Sequence, residues 1–249
     1  MAEAQGKLLD RYRVLDLTME EGMLCGRLLA DLGADVIQVE PPEGSPARRL
    51  GPFYKDIEDP EKSLFWFAMN SNKRGITLNI EKDSGKELLL RLVRKADFLV
   101  ESFRPGYLDS LGLGYQELSR VNPALVMTSI TPFGQTGPYS QYQGSDIVCM
   151  ALGGWMYITG DEGRPPLRYS IDQAFLHAGA QAAVGSLMAH LYRASTGLGQ
   201  HVDLSAQDCV VWSMGAFPLA TWASGRRLMP RCGHSLRRPN GTFQRQFPC

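Results

Sequence analysis

Short unbroken apolar runs alternate with stretches of helical period along the first two thirds of the chain. Arg13–Leu17 (RVLDL) is apolar enough to be a strand covered on both faces, Met23–Leu32 carries a helix ended by Gly33, and Asp35–Val39 (DVIQV) is a second strand. Strand, helix and strand within about thirty residues make a βαβ unit, which requires a parallel sheet and a right-handed crossover. Pro41, Pro42, Gly44 and Pro46 then force a loop. Ile76–Ile80 is a third strand candidate. A helix over about 84–95 follows, with Leu88, Leu89, Leu92 and Val93 on one stripe, and Asp97–Val100 and Leu125–Ile130 are further strands.

Beyond residue 130 the pattern changes. A loop rich in Gly, Pro, Gln and Tyr spans 131–144, a helix is expected over 145–157, and a second Gly/Pro loop covers 160–166. The helix expected over 171–192 is crowded with Ala174, Ala178, Ala180, Ala182, Ala183 and Gly185, which lets neighbouring backbones come close; 195–199 (STGLG) ends it. A strand at His201–Ser205 and a helix over 207–222 complete the periodic part. The fold class implied is α/β, a Rossmann-like parallel sheet with flanking helices.

Composition narrows the classes. The chain has 249 residues, 44% hydrophobic and 21% charged, enough apolar surface to offset its ordering entropy, which excludes disordered and collagen-like chains. Basic and acidic residues both number 26, so no global field favours nucleic acid or an anionic membrane. Locally the balance breaks, because 209–249 holds Arg226, Arg227, Arg231, Arg237, Arg238 and Arg245 and no carboxylate. Cys25, Cys149, Cys209, Cys232 and Cys249 are scattered, without C-x-x-C or zinc spacing, so free thiols, a reducing cytoplasmic setting and no metal are expected. No signal peptide or membrane span is expected either.

A βαβ start invites a dinucleotide, yet the turn after the first strand reads Thr18-Met19-Glu20-Glu21-Gly22 in place of G-x-G-x-x-G. Two carboxylates there would repel a pyrophosphate. Their ordinary role is to complement the helix dipole.

Five segments, taken together and in order, carry a resemblance: 28–48 (LLADLGADVIQVEPPEGSPAR), 70–79 (NSNKRGITLN), 96–106 (ADFLVESFRPG), 122–139 (NPALVMTSITPFGQTGPY) and 196–205 (TGLGQHVDLS). The chain resembles the class III CoA-transferase family, the formyl-CoA transferase and carnitine CoA-transferase group that includes α-methylacyl-CoA racemase. The resemblance implies residues 1–225 as the N-terminal part of that family's large domain and 226–249 as a basic linker or tail leading toward a small domain. It implies transfer of coenzyme A between carboxylic acids, with acyl-CoA and acid as substrates and no tightly bound cofactor. It also implies interlocked chains, either a homodimer or a complementary second subunit, with no nucleic-acid or membrane partner.

The matching segment for the family's aspartate nucleophile is Tyr169-Ser170-Ile171-Asp172-Gln173-Ala174, which makes Asp172 the candidate. An attacking carboxylate must be ionised yet poorly hydrated, and a place at a helix start beside small residues would provide both. The alternative role for such an Asp is a plain N-cap. By resemblance Asn72, Lys73, Arg74, Leu78, Ser102, Phe103, Arg104 and Tyr107 lie along the CoA site, with cations for phosphates and Phe103 as an apolar wall. Arg48 and Arg49 form a further cluster. The racemase branch places a histidine where this chain has Ser145, before the Asp of GSDIV, and serine carries no proton at neutral pH. His177, His190, His201 and His234 sit elsewhere. The acidic turn is similar to the subgroup acting on aryl- or alkyl-substituted succinates, and Trp155, Met156 and Tyr157 would suit a bulky acid or simply a core. Two other readings stay open: an acyl-CoA racemase or isomerase, and a chain that binds CoA without turnover. From Gly225 on no period is visible, so the tail is expected to extend from the globular body.

Overall fold

The computed structural model of the chain describes residues 6–161, 163–215, 223 and 225, together with the backbone of 235–238 and 241–244. Strands β1 (Arg13–Leu17), β2 (Asp35–Glu40), β3 (Arg74–Thr77), β4 (Phe98–Glu101), β5 (Val126–Thr131) and β6 (His201–Ser205) form one sheet in the order β3-β2-β1-β4-β5-β6. Every neighbouring pair is parallel. That is the Rossmann strand order, whose direction of winding reverses between β1 and β4.

Side chains alternate between two cores. Val14, Val36, Phe98, Val100, Val126 and Ile130 face α1 (Met23–Asp31) and α8 (Ala174–Thr196). Leu15, Leu17, Ile37, Val39, Leu99 and Met127 face α3 (Asp83–Val93), α4 (Tyr107–Ser110) and α5 (Tyr115–Val121). Both faces are covered, which is why these strands read as continuous apolar runs. The small residues of α8 do what the sequence implies: a Cβ on Gly179 would stand 3.2 Å from the backbone nitrogen of Cys25 in α1.

Several boundaries differ from the pattern. The third strand is Arg74–Thr77 and not 76–80; Leu78 still donates to the Glu40 carbonyl at 2.8 Å, and the ladder then stops because Pro41 and Pro42 have no N–H. The single helix expected over 145–157 is two, α6 (Asp146–Leu152) and α7 (Trp155–Ile158), since Gly154 adopts φ 87° and breaks the ladder. Helix α8 starts three residues later than expected, at Ala174, which puts Asp172 outside it. Helix α9 spans Ala206–Ser213, and its expected continuation lies mostly outside the described residues. The seven-residue α2 (Leu64–Asn70), capped by Ser63, escaped the pattern because its apolar residues point to more than one side. In the tail, β7 (Ser235–Arg238) and β8 (Gly241–Gln244) pair antiparallel, contrary to the expected lack of regular structure. The intervening Pro-Asn before Gly241 is turn-forming sequence.

Cys25, Cys149 and Cys209 are free and buried, whereas Cys232 and Cys249 lie outside the described residues. Among the described residues no helix is long and apolar enough to cross a membrane. The tight fit under α1 is testable. A Cβ at Gly26 would overlap the buried Asp16 carboxylate, so Gly26→Ala is expected to cost about 1–3 kcal/mol in denaturant unfolding.

Candidate active site

At the end of β1 the buried Asp16 organises the turn. Its Oδ1 accepts from the Thr18 amide at 3.0 Å and the Thr18 hydroxyl at 2.6 Å, while Oδ2 accepts from Lys73 Nζ at 2.7 Å. Lys73 also donates to the Met23 carbonyl and to Gln38 Oε1, at 3.1 and 3.2 Å. Gln38 donates to the Thr18 carbonyl, and Ser102 Oγ accepts from the Met19 amide at 3.0 Å. Thr18–Met19 is thereby fixed from beneath and from the side.

A cavity of about 420 Å³ opens beside this turn, outside the carboxyl ends of β1, β2, β3 and β4, where open α/β sheets bind ligands. Leu78, Phe103, Tyr107 and Arg49 line it. The Phe103 and Tyr107 rings pack 4.9 Å apart, and the Tyr107 hydroxyl donates to Glu81. The neighbouring Arg48 is occupied: it pairs with Glu40 at 2.6 Å, reaches Glu61, and lies 4.2 Å over Trp66.

A second cavity, about 540 Å³, lies on the other side of the turn. Its wall includes Glu20, Glu21, Leu50, Phe65, Ser145, Asp146, Arg168, Asp172 and Phe175. Met19 and Arg49 border the first cavity while their chain neighbours Glu20 and Leu50 border the second, so the same two backbone segments form the partition. Helix α8 has no cap from its own flank; Asp146 of α6 supplies it, accepting from the Ala174 amide at 2.6 Å and the Phe175 amide at 3.4 Å. Burial and the charge of Asp172 push the Asp146 carboxyl above its usual range, against the pull of the amides at 173–175. Asp172 stands on the approach to α8, 62% exposed, with Oδ1 held by Arg168 Nη2 at 3.0 Å. The helix-start environment expected for Asp172 therefore belongs to Asp146, and Asp172 has a guanidinium in its place. Tyr169 packs on Trp155, which also meets His177. Trp155 and Met156 pack on the core, and neither they nor Tyr157 line the cavity.

Glu21 does not serve α1, whose N-cap is Gly22 and whose first turn holds no acid. It borders the second cavity, and burial together with the Glu20 charge raises its carboxyl to about 7. On the far face of the sheet Glu101 behaves alike, also pushed up to about 7, chiefly by burial, while accepting from the Phe103 amide.

The expected CoA residues therefore divide. Leu78, Phe103 and Tyr107 share the first cavity; Arg104 lines a separate pocket with Glu101, Ser129 and His201; Ser102 holds the turn. Asn72 (φ 64°) donates to Asp31, and Arg74 pairs with Asp35, both at the opening end of β3. Lys73 is fully enclosed, its ammonium shared among three acceptors. Asp146, Arg168 and Glu21 were not singled out from sequence as site residues. The signals for them were a Ser-Asp pair opening an apolar run and an Arg four residues before Asp172.

The fold is a Rossmann-like α/β sheet with two abutting cavities, one of them outside its strand ends. The model of CoA-transferase family III matches residues 9–249, and the chain belongs to that family. It is 47% identical over 200 residues to succinyl-CoA:(R)-benzylsuccinate CoA-transferase subunit BbsE of Thauera aromatica, covering 80% of this chain and 49% of that protein. It is 42% identical over 206 residues to the succinyl-CoA–D-citramalate CoA-transferase of Chloroflexus aurantiacus, covering 82% and 50%. A CaiB/BaiF family protein from Brucella suis superposes with a TM-score of 0.86 at 34% identity, over 96% of this chain and 66% of that one. The chain thus spans about half the length of the curated relatives it matches.

Two outcomes follow from the geometry. Lys73→Ala leaves Asp16 buried without its partner, so unfolding experiments should show a loss of about 3–5 kcal/mol. The Glu21 carboxyl keeps its proton up to about 7 in the fold but releases it near the ordinary value of 4.5 when unfolded, so the fold binds more protons between those values and stability falls as pH rises through them. Glu21→Gln removes that part of the slope: its melting temperature should gain on the parent between pH 5 and pH 8. An unchanged gap at the two pH values would mean that Glu21 titrates normally.

Proposed function

We propose that this chain carries CoA transfer between carboxylic acids, with Asp172 as the nucleophile. The observation that carries the reading is the pair of abutting cavities, one over the strand ends and one containing Asp172. The nucleotide end of CoA occupies the first, between the Phe103–Tyr107 wall and Leu78, with Arg49 toward its phosphates. The pantetheine arm passes the Met19–Glu20 turn and delivers the thioester to the second. Asn72, Lys73, Arg74 and Ser102 then act by holding the sheet edge and the turn, and Arg104 stands one pocket away from the Phe103 wall. Exposed as it is, Asp172 is desolvated by the substrate that fills the cavity.

Asp172 attacks the donor thioester to give an anhydride and CoA thiolate; the thiolate then attacks the aspartyl carbonyl and expels the donor acid as a carboxylate, and the acceptor acid reverses the sequence. Racemisation is disfavoured, since Ser145 lines the cavity where a histidine would be needed. The acidic turn and the benzylsuccinate and citramalate relatives support a substituted succinate as acceptor and succinyl-CoA as donor. A homodimer or a complementary second chain fits the relative named as a subunit, and the apolar residues Val184, Met188 and Leu191 exposed along α8 offer such a chain a surface. A cytoplasmic place suits CoA chemistry.

Asp172→Ala is expected to lower CoA transfer by about 10⁴-fold or more, with calorimetric affinity for free CoA unchanged within a few-fold. Turnover near the parent's in a folded variant would refute the assignment.

A further inference from the structure

The second cavity must admit an anion, yet among the described residues its wall carries the carboxyl groups of Glu20, Glu21, Asp146 and Asp172 and a single cation, Arg168. Arg168 Nη2 donates to Asp172 Oδ1 at 3.0 Å, and its Nε donates to the Tyr169 carbonyl at 3.2 Å. Nη1 makes no hydrogen bond to a described residue, and the side chain is half exposed, facing the space a substrate would fill. A guanidinium grips a carboxylate through two parallel N–H bonds, so this fork is only partly used by Asp172.

We propose that Arg168 is the residue that binds the reacting carboxylate of the acid substrates, exchanging it for Asp172 during turnover. The proposal rests on Asp172 being the nucleophile. An Asp172 oxygen bonds to the acyl carbon of the donor, the C–S bond breaks, and its electron pair leaves on the CoA thiolate. The thiolate then bonds to the Asp172 carbonyl carbon, and the C–O bond to the bridging oxygen breaks, which releases the donor acid as a carboxylate. No proton moves, and the negative charge that began on Asp172 leaves on the free acid. Asp172, now a neutral thioester, no longer satisfies Arg168. The departing acid, and after it the acceptor, takes that place with its carboxylate oxygens beside the Asp172 carbonyl carbon. Before the transfer and after it the guanidinium faces one carboxylate, first Asp172 and then the free acid; in the neutral anhydride between them the negative charge is on the CoA thiolate.

The test uses the purified full chain with succinyl-CoA as donor and (R)-benzylsuccinate as acceptor. Arg168→Gln should raise the acceptor KM by about 10- to 100-fold, the loss of a charge-assisted bond, and leave the succinyl-CoA KM within about 3-fold. Arg168→Lys should recover part of the loss, because it restores charge without the fork. Intact-mass measurement after incubation with succinyl-CoA alone should show a CoA adduct in parent and in Arg168→Gln. An unchanged acceptor KM, or equal rises for donor and acceptor, would overturn the role of Arg168. A parent without the adduct would instead overturn the Asp172 reading, and this proposal with it.

Discussion

The hydrogen bonds from the first turn of α8 to Asp146 are the contact on which the site is built. Helix α8 runs for 23 residues against α1 and the sheet, and its opening amides are buried where water cannot serve them. A carboxylate from α6, 28 residues earlier in the chain, answers that demand and clamps α6 onto α8. Because the cap is taken, Asp172 is left on the approach to the helix, facing the cavity and paired with Arg168. A structural carboxylate and the proposed nucleophile thus sit side by side. Burial and, after it, the charge of Asp172 push Asp146 upward.

The partition between the two cavities depends on a second buried charge. Asp16 and Lys73 form an ion pair with almost no exposed side-chain surface, and such a pair is costly to break from one side. It earns no clear gain in net stability over an apolar pair; what it does is fix geometry. Through Thr18 and Gln38, with Ser102 bonded to Met19 beside them, it sets the turn that separates the two cavities. The glycine above it, Gly26, is the space that lets α1 lie over this network.

Much of this was legible in the chain. Apolar runs such as RVLDL and DVIQV announced buried parallel strands, and the alanines of α8 announced a close helix contact, because both signals are local and periodic. The edges were less legible. The end of β3 was set by prolines in its neighbour, and the split between α6 and α7 by one left-handed glycine. Of the residues expected along a CoA site, Leu78, Phe103 and Tyr107 share one cavity, but Lys73 is turned inward by a carboxylate 57 residues away. A positive side chain in a promising segment does not reveal which anion it meets; that is decided by the sheet register. The Asp146 cap was hidden for the same reason, since its partner lies in another element. Arg168 was nearer at hand, four residues before Asp172, yet nothing in that spacing distinguished a surface pair from one at the mouth of a cavity.

Of the carboxyl groups around the second cavity, Asp172 alone is proposed to become covalently linked to CoA. Peptide mapping of protein quenched after reaction with succinyl-CoA, with hydroxylamine to mark the thioester-bearing residue, tests it most directly. The hydroxamate is expected on the peptide containing Asp172 and on none containing Glu20, Glu21 or Asp146. A mark on any of those three, or an unlabelled Asp172 in protein that turns over, would contradict it.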